Sequence, residues 1–576
     1  QPADTVIRGG TLVNVCTAEF QENIDIDIAE GRIALVGDAT ACIGPDTEII
    51  DASGLYMSPG FLDGHIHIES SMLSVGEYAK AVVPHGTVGI YPDPHEICNV
   101  PGLDGVRCMI EDAGRTPLKC MFVTPSCVPA VPGFEDTGSF VGPEDVARTM
   151  QWDEIVGLGE MMNFPVILAS DDHAHGIVDA TLVADKVVTG HYSLPETGAG
   201  LNAYAASGIR CCHESTRPED VIAKMRLGMY AQLRMGSAWQ DLPVIAKALT
   251  ETGIGGRFAR LVSDDTHPNT LVSHGHMDYI LRVAVENGID PITAIRMATI
   301  NTAQCYRMDQ DLGAIAPGKC ADIVLLKDLE HFDVVRTIID GETVAIDGKM
   351  TRELAPYTYP DWARESVHLK DAVTADTFKI AAPENRDRVT IRAIEVIPAR
   401  VGDIERFVEL AVAGGHLESD IQQDVLKTIV LERHHATGTK GVGFVKGFGI
   451  KRGAMASTVA HDAHNLLVVG TNDDDMALAA NTLINCGGGM VAVADGKVLG
   501  LAKLPIAGLM NDESAEEMAA DVATLEEAWK TIGCSMPSPF MTMALIPLAC
   551  LPDLRLTNRG LVDCRPFQFV PLIVEE

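Results

Sequence analysis

The stretch Pro59-Gly60-Phe61-Leu62-Asp63-Gly64-His65-Ile66-His67-Ile68-Glu69-Ser70 decides how the chain is read. In an extended segment alternate side chains share a face, so His65 and His67 project together while Ile66 and Ile68 face the other way. Such a pair is a two-toothed imidazole claw, and neutral imidazole is the commonest protein ligand for a borderline-soft divalent metal. An isolated His-x-His is more often the wet face of an ordinary half-buried strand. Here Pro-Gly precedes the claw, Gly64 sits beside it, and further candidate ligands recur at strand ends downstream.

From about residue 59 to 312, short β-branched runs alternate with amphipathic stretches. The runs include Thr87-Val88-Gly89-Ile90-Tyr91, Ile155-Val156-Gly157-Leu158-Gly159 and Phe258-Ala259-Arg260-Leu261-Val262; Pro218 to Arg226 is one of the amphipathic stretches. This alternation predicts repeated βα units. With the His65 strand there are eight candidates, the size of a closed parallel (β/α)8 barrel, whose chemistry sits at the C-terminal strand ends. The residues after the runs are Asp93, Ser126, Glu160, His191, His213, Ser237 and Asp264. Burying five or six such groups unpartnered would cost about several kcal/mol each, and one or two divalent cations would satisfy them together.

Outward from this unit, residues 1–58 read as short strands with clean alternation at Ile24-Asp25-Ile26-Asp27-Ile28. A matching set returns at Ala321 to Leu326 and Val334 to Gly341. The expected organisation is a composite β-sandwich domain from 1–58 and 313–365, a metal-dependent barrel over 59–312, and a C-terminal α+β domain over 366–576. No GxGxxG followed by a helix, and hence no nucleotide-cradling loop, is visible in the last region.

The chain has 576 residues, too many for one core, and an ordinary globular composition of 47% hydrophobic and 22% charged residues. Its 80 acidic against 44 basic residues, a formal charge of −36, argue against nucleic acid or an anionic membrane as partner. There is no apolar run long enough to span a bilayer and no visible secretory signal. Fourteen scattered cysteines without a CxxC pair fit a reducing compartment, so a cytoplasmic location is expected.

Together these residues resemble the amidohydrolase superfamily: His65-x-His67 on the first strand, His191 and His213 after the fifth and sixth, Asp264 after the eighth, and the return Pro317-Gly318-Lys319-Cys320-Ala321-Asp322. More narrowly, His65 to Ser71, Asp93-Pro94-His95-Glu96-Ile97, Gly159-Glu160-Met161-Met162-Asn163 and Ser263-Asp264-Asp265-Thr266-His267-Pro268 are similar to the prokaryotic adenine deaminase family. So are Lys440 to Val445 and Ala460-His461-Asp462-Ala463-His464-Asn465, and the likeness spans nearly the whole chain.

The resemblance implies hydrolysis of adenine to hypoxanthine and ammonia. Many binuclear superfamily members carry a carboxylated lysine after the fourth strand, whereas this chain has Glu160, whose two oxygens can bridge cations. Two divalent ions are therefore expected, His65, His67, Glu160 and Asp264 holding one and Glu160, His191 and His213 the other. The resemblance points to manganese, with iron and zinc compatible. Coordination would lower the pKa of a bridging water toward about 7, giving a hydroxide that adds to C6, with Asp264 as general base and acid. Asp93, His95 and Glu96 are expected to read the purine, and a homo-oligomer, a dimer, is expected. The alternatives are a dihydroorotase-like hydrolase, which would want an arginine near the strand ends for its substrate carboxylate, and a non-catalytic scaffold that has lost its metal.

Other clusters read more weakly. Asp171-Asp172-His173-x-His175 reads as a solvated loop or helix cap, His434-His435 as a wet helix end, and Met225, Met229 and Met235 as core. His461-Asp462-x-His464 is balanced between surface structure and a role at the mouth of the site.

Overall fold

The strands on either side of the His65 unit share one sheet. In the computed structural model, which describes residues 2–398 and 401–574, Ile323–Leu326 pairs antiparallel with Tyr56–Pro59. Outward from this seam the sheet runs through Val334–Ile339 and Glu342–Ile346 on one side and Thr5–Asn14, Glu19–Ala29 and Arg32–Gly37 on the other. The halves curl toward each other, for Gly31 lies against the Asp340 backbone and Gly341 against Ile28. One sheet thus encloses a core of Ile7, Leu12, Ile26, Met57, Ile323 and Ile338. Alternation in these strands is what supplies the inward aliphatic set.

Between the seam strands lie parallel strands joined through helices. They are, in order, Phe61–His67; Thr87–Pro92; a third in two pieces, Lys119–Cys120 and Phe122–Thr124; Ile155–Met161; Val187–Gly190; Cys211–Cys212; Tyr230–Arg234; and Ala259–Val262 continuing as Asp264–Asp265. Neighbours in this order pair in parallel, the fifth and sixth through a single bridge at Val188 and Ile209, and the eighth returns to the first with Asp264 opposite Ile66 and Asp265 opposite His67. Asp63 fastens that return by accepting the Ser263 N–H at 3.1 Å. Parallel strands covered by helices on their outer side are buried throughout, and Phe61–His67 has no exposed residue.

The C-terminal region is built on a ten-stranded sheet with Asp403–Ala413, Arg388–Val396, Lys440–Lys446 and Val425–Leu431 at its centre. Helices Asp473–Cys486 and Ala515–Ile532 pack on it, the second opened by a Ser514 and Glu517 capping box and anchored by buried Trp529. In the strand Lys440–Lys446 glycines admit close neighbours, such as the Thr557 carbonyl at Gly441.

One expectation is corrected here. His434 and His435 do not end a helix; they follow the strand Val425–Leu431 in a turn, where each ring pairs with a carbonyl, of Ala463 and Thr137 respectively. Arg433 beside them is fully buried without a carboxylate partner. It donates to the carbonyls of His464, Ser366 and Ala507, and so clamps the loop that carries His461 to His464. Burial pushes this guanidinium down to about 9. Asp171 caps the helix Asp172–Val183 by accepting the Ala174 N–H, and Met225, Met229 and Met235 are buried core. Among the described residues no helix is long and apolar enough to cross a membrane.

Candidate active site

The C-terminal ends of the parallel strands converge on Glu160. Four imidazoles stand within 3.5 Å of its carboxylate: His67 at 3.3 Å, His95 at 3.5 Å, His191 at 2.5 Å and His213 at 3.2 Å. Among the described residues no arginine pairs with this acid, as a merely structural rim carboxylate would require. Asp264 completes the group, with Oδ1 at 3.3 Å from His67 Nε2 and 3.7 Å from His65 Nε2. His65 and His67 do share a face, their ring centroids 4.8 Å apart, and His65 stacks on His213 at 4.2 Å.

Which nitrogens carry protons follows from their partners. His67 Nδ1 lies 3.0 Å from the Asp93 carbonyl, which can only accept, so in the neutral ring the proton sits on Nδ1 and the lone pair is on Nε2, facing two carboxylates. His65 Nε2 is buried with no hydrogen-bond partner, and His213 Nε2 faces His191 Nδ1 at 3.1 Å. Lone pairs and carboxylate oxygens aimed at one another repel unless cations stand between them, and the backbone anchor on His67 is the usual outer support of a ligating histidine. The sets His65, His67, Glu160; His65, His213, Asp264; and Glu160, His191, His213 each bring one ligand atom per residue within 4.8 Å. Glu160 belongs to two of them. The residues fit divalent metal.

Local backbone features aim these groups. Asp93 turns its carboxylate under the fourth strand and accepts the Glu160 N–H at 2.6 Å. A side chain at position 159 would lie 2.4 Å from that carboxylate, so the approach needs Gly159. Asp264 takes a left-handed φ of 59° at the start of the second piece of the eighth strand, a conformation that aspartate tolerates better than most residues and that concentrates at functional sites.

The cavity above the cluster is lined by His67, His95, Glu160, His191, His213 and Asp264, as well as by groups that the sequence reading missed. Arg234, at the end of the seventh strand, is buried and locked by three acids. Its guanidinium reaches Glu214 at 2.5 Å, Asp241 at 2.7 Å and Asp264 Oδ2 at 2.9 Å. Burial raises the Glu214 carboxyl, but Arg234 and the neighbouring imidazoles outweigh it and hold the group at about 2. The signal for Arg234 was its place on the strand-end edge already occupied by ligands; the signal for Glu214 was adjacency to His213. The apolar wall comes from Met162, Trp239, Leu545, Leu548 and Leu551.

Of the three residues expected to meet a purine, only His95 lines the cavity. Asp93 lies beneath Glu160, and Glu96 stands behind the wall, accepting the Ser70 hydroxyl at 2.9 Å. In their place the C-terminal region supplies His461 and Asp462 to the cavity. Ser126 and Ser237 are also outside it; Ser126 donates to the Glu160 carbonyl, and Ser237 accepts the His267 N–H.

Comparison with known proteins gives the family of the chain. A family model described as "Amidohydrolase family" matches residues 56–344, and one described as "Adenine deaminase C-terminal domain" matches residues 403–568. The chain is 67% identical over all its 576 residues to an adenine deaminase of Clostridium botulinum (strain ATCC 19397 / Type A), of which it covers 96%. It is 55% identical to an adenine deaminase of Moorella thermoacetica, over 99% of this chain and 96% of the relative. To that of Ruegeria pomeroyi it is 46% identical, over 100% and 96%.

Proposed function

Since the chain belongs to the adenine deaminase family of amidohydrolases, and so converts adenine and water to hypoxanthine and ammonia, we propose that the reaction runs at the Glu160 cluster, on the rim of a (β/α)8 barrel, with two divalent cations. The observation that carries this reading is the convergence of four imidazoles on one buried carboxylate. His65, His67, Glu160 and Asp264 would hold one ion, and Glu160, His191 and His213 the other. When bound, such a pair ionises water near neutral pH. The mixed imidazole and carboxylate donors suit manganese, iron or zinc, and the oxygen-rich contribution of Glu160 favours manganese. Fourteen free cysteines support a reducing, cytoplasmic setting.

Asp264 is the proton carrier in this scheme. Although burial raises its carboxyl, the surrounding imidazoles and Arg234 keep it ionised. It takes a proton from the water whose oxygen bonds to C6, and delivers it to the exocyclic nitrogen as the C6–N bond breaks and ammonia leaves. Arg234 holds Oδ2 at 2.9 Å, so that Oδ1 is the oxygen turned toward His65, His67 and the reacting water. Asp93 fixes Glu160 and His67 from behind, a positioning role in place of base recognition.

Substrate recognition falls to the flat apolar wall and the polar edge formed by His95, His461 and Asp462. Leu545, Leu548 and Leu551 form the wall of this narrow cavity, against which a planar purine ring would stack. A dihydroorotase-like reaction is disfavoured by the state of Arg234, since three carboxylates already occupy the one arginine that the described residues bring to the cavity lining.

The test is ammonia release by metal-replete protein from adenine, adenosine, guanine, cytosine and dihydroorotate. Turnover of adenine above all the others is expected. Preference for dihydroorotate or cytosine would overturn the assignment of the cavity to adenine.

A further inference from the structure

We infer that His461 is a substrate-binding residue, a hydrogen-bond donor that the C-terminal region places in the cavity to meet a ring nitrogen of the purine. The inference rests on the reading of the cavity as an adenine site and adds a contact from outside the barrel.

The geometry starts from the loop around His461. Its backbone N–H donates to the Ala544 carbonyl at 2.9 Å, and the following turn closes through the His464 N–H to the Ala460 carbonyl at 2.7 Å. The ring of His461 is 94% buried yet still borders the cavity, so the donor is held by the fold and does not swing in solvent. Carboxylates surround it: Asp462 Oδ1 lies 3.6 Å from Nδ1, and Glu96 approaches from the second-strand loop. Burial alone lowers an imidazole, but the facing Asp462, Glu96 and Asp265 carboxylates outweigh it and push His461 up to about 9. Of the neighbouring titratable groups, His464 is neutral, driven down by burial and by His461 itself.

Glu96, His461 and His464 also come close enough to suggest a third cation. The tautomer of His464 speaks against one. Its Nδ1 accepts the Ala460 N–H at 3.2 Å, so in the neutral ring the proton is on Nε2, the atom that faces Glu96 Oε2 at 3.7 Å. A nitrogen bearing a proton has no lone pair for a metal. His464 and Ser70 instead flank Glu96 with donors. Three of adenine's four ring nitrogens accept and the fourth bears a hydrogen, and a donor fixed on one edge discriminates the base from analogues lacking the accepting nitrogen there.

The experiment measures competitive inhibition by 1-deaza-, 3-deaza- and 7-deazaadenine, each with one ring nitrogen replaced by C–H, beside adenine kinetics. The proteins are wild type, His461→Leu and His461→Gln, all with metal content determined. Wild type should bind at least one analogue roughly tenfold or more weaker than the others. His461→Leu should lose that preference while keeping its metal, and His461→Gln, which retains a donor, should recover part of it. An unchanged pattern of analogue discrimination in both variants would overturn the inference, as would a wild type that treats the three analogues alike. A wild type that releases no ammonia from adenine would instead overturn the function proposed above, so the two failures are separable.

Discussion

Glu160→Gln is expected to leave the protein folded, lower its divalent metal content to about one equivalent or less, and cut adenine turnover by roughly 10³-fold or more. The reason is the crowding at this carboxylate. Its Oε2 meets His191 and His213 while Oε1 meets His67 and His95. An amide is isosteric but neutral, has one accepting atom in place of two, and would aim an N–H2 at nitrogen lone pairs on one side. Neither set of ligands could then share it. The measurement is elemental analysis paired with steady-state kinetics of the same preparation. Two retained equivalents with near wild-type turnover would mean that Glu160 is a structural rim acid after all.

Asp264→Asn should behave differently: metal retained in part, KM little changed, and kcat lowered by about 10² to 10⁴, the usual worth of a positioned general base. Arg234 determines how the amide would sit. A guanidinium has only donors, so it would keep the asparagine oxygen where Oδ2 now accepts at 2.9 Å and turn the N–H2 toward His65 and His67. The variant would thus present a donor where the reaction needs an acceptor. Undiminished kcat in a metal-replete sample would remove Asp264 from the proton transfer.

How much of this site could be read beforehand depended on whether a residue's direction is set by local geometry. His65 and His67 were legible because the two-residue strand period leaves no choice of face, and their rings do meet at 4.8 Å. Glu160, His191, His213 and Asp264 were legible as polar breaks at one edge of successive apolar strands. Loop side chains have no such rule. Asp93 was expected to read the base, yet it folds back to the Glu160 N–H through a gap that only Gly159 leaves open.

Partners distant in sequence were harder still. Arg234 stood on the ligand-bearing strand-end edge, but only the fold brings Asp264, Glu214 and Asp241 around it. His461 and Asp462 lie some two hundred residues beyond the eighth strand. Nothing local distinguishes them from a wet turn until Arg433 and the Ala544 carbonyl are seen to hold their loop at the cavity. The seam between Tyr56–Pro59 and Ile323–Leu326, by contrast, was visible as matched alternating strands flanking an inserted unit.

The shared use of Glu160 by two cations is tested most directly by titrating metal-free protein with manganese while following ammonia release from adenine. Activity should rise until about two equivalents are bound and stay level beyond, since both ligand sets draw on the same carboxylate. Full activity at a single bound equivalent would contradict it.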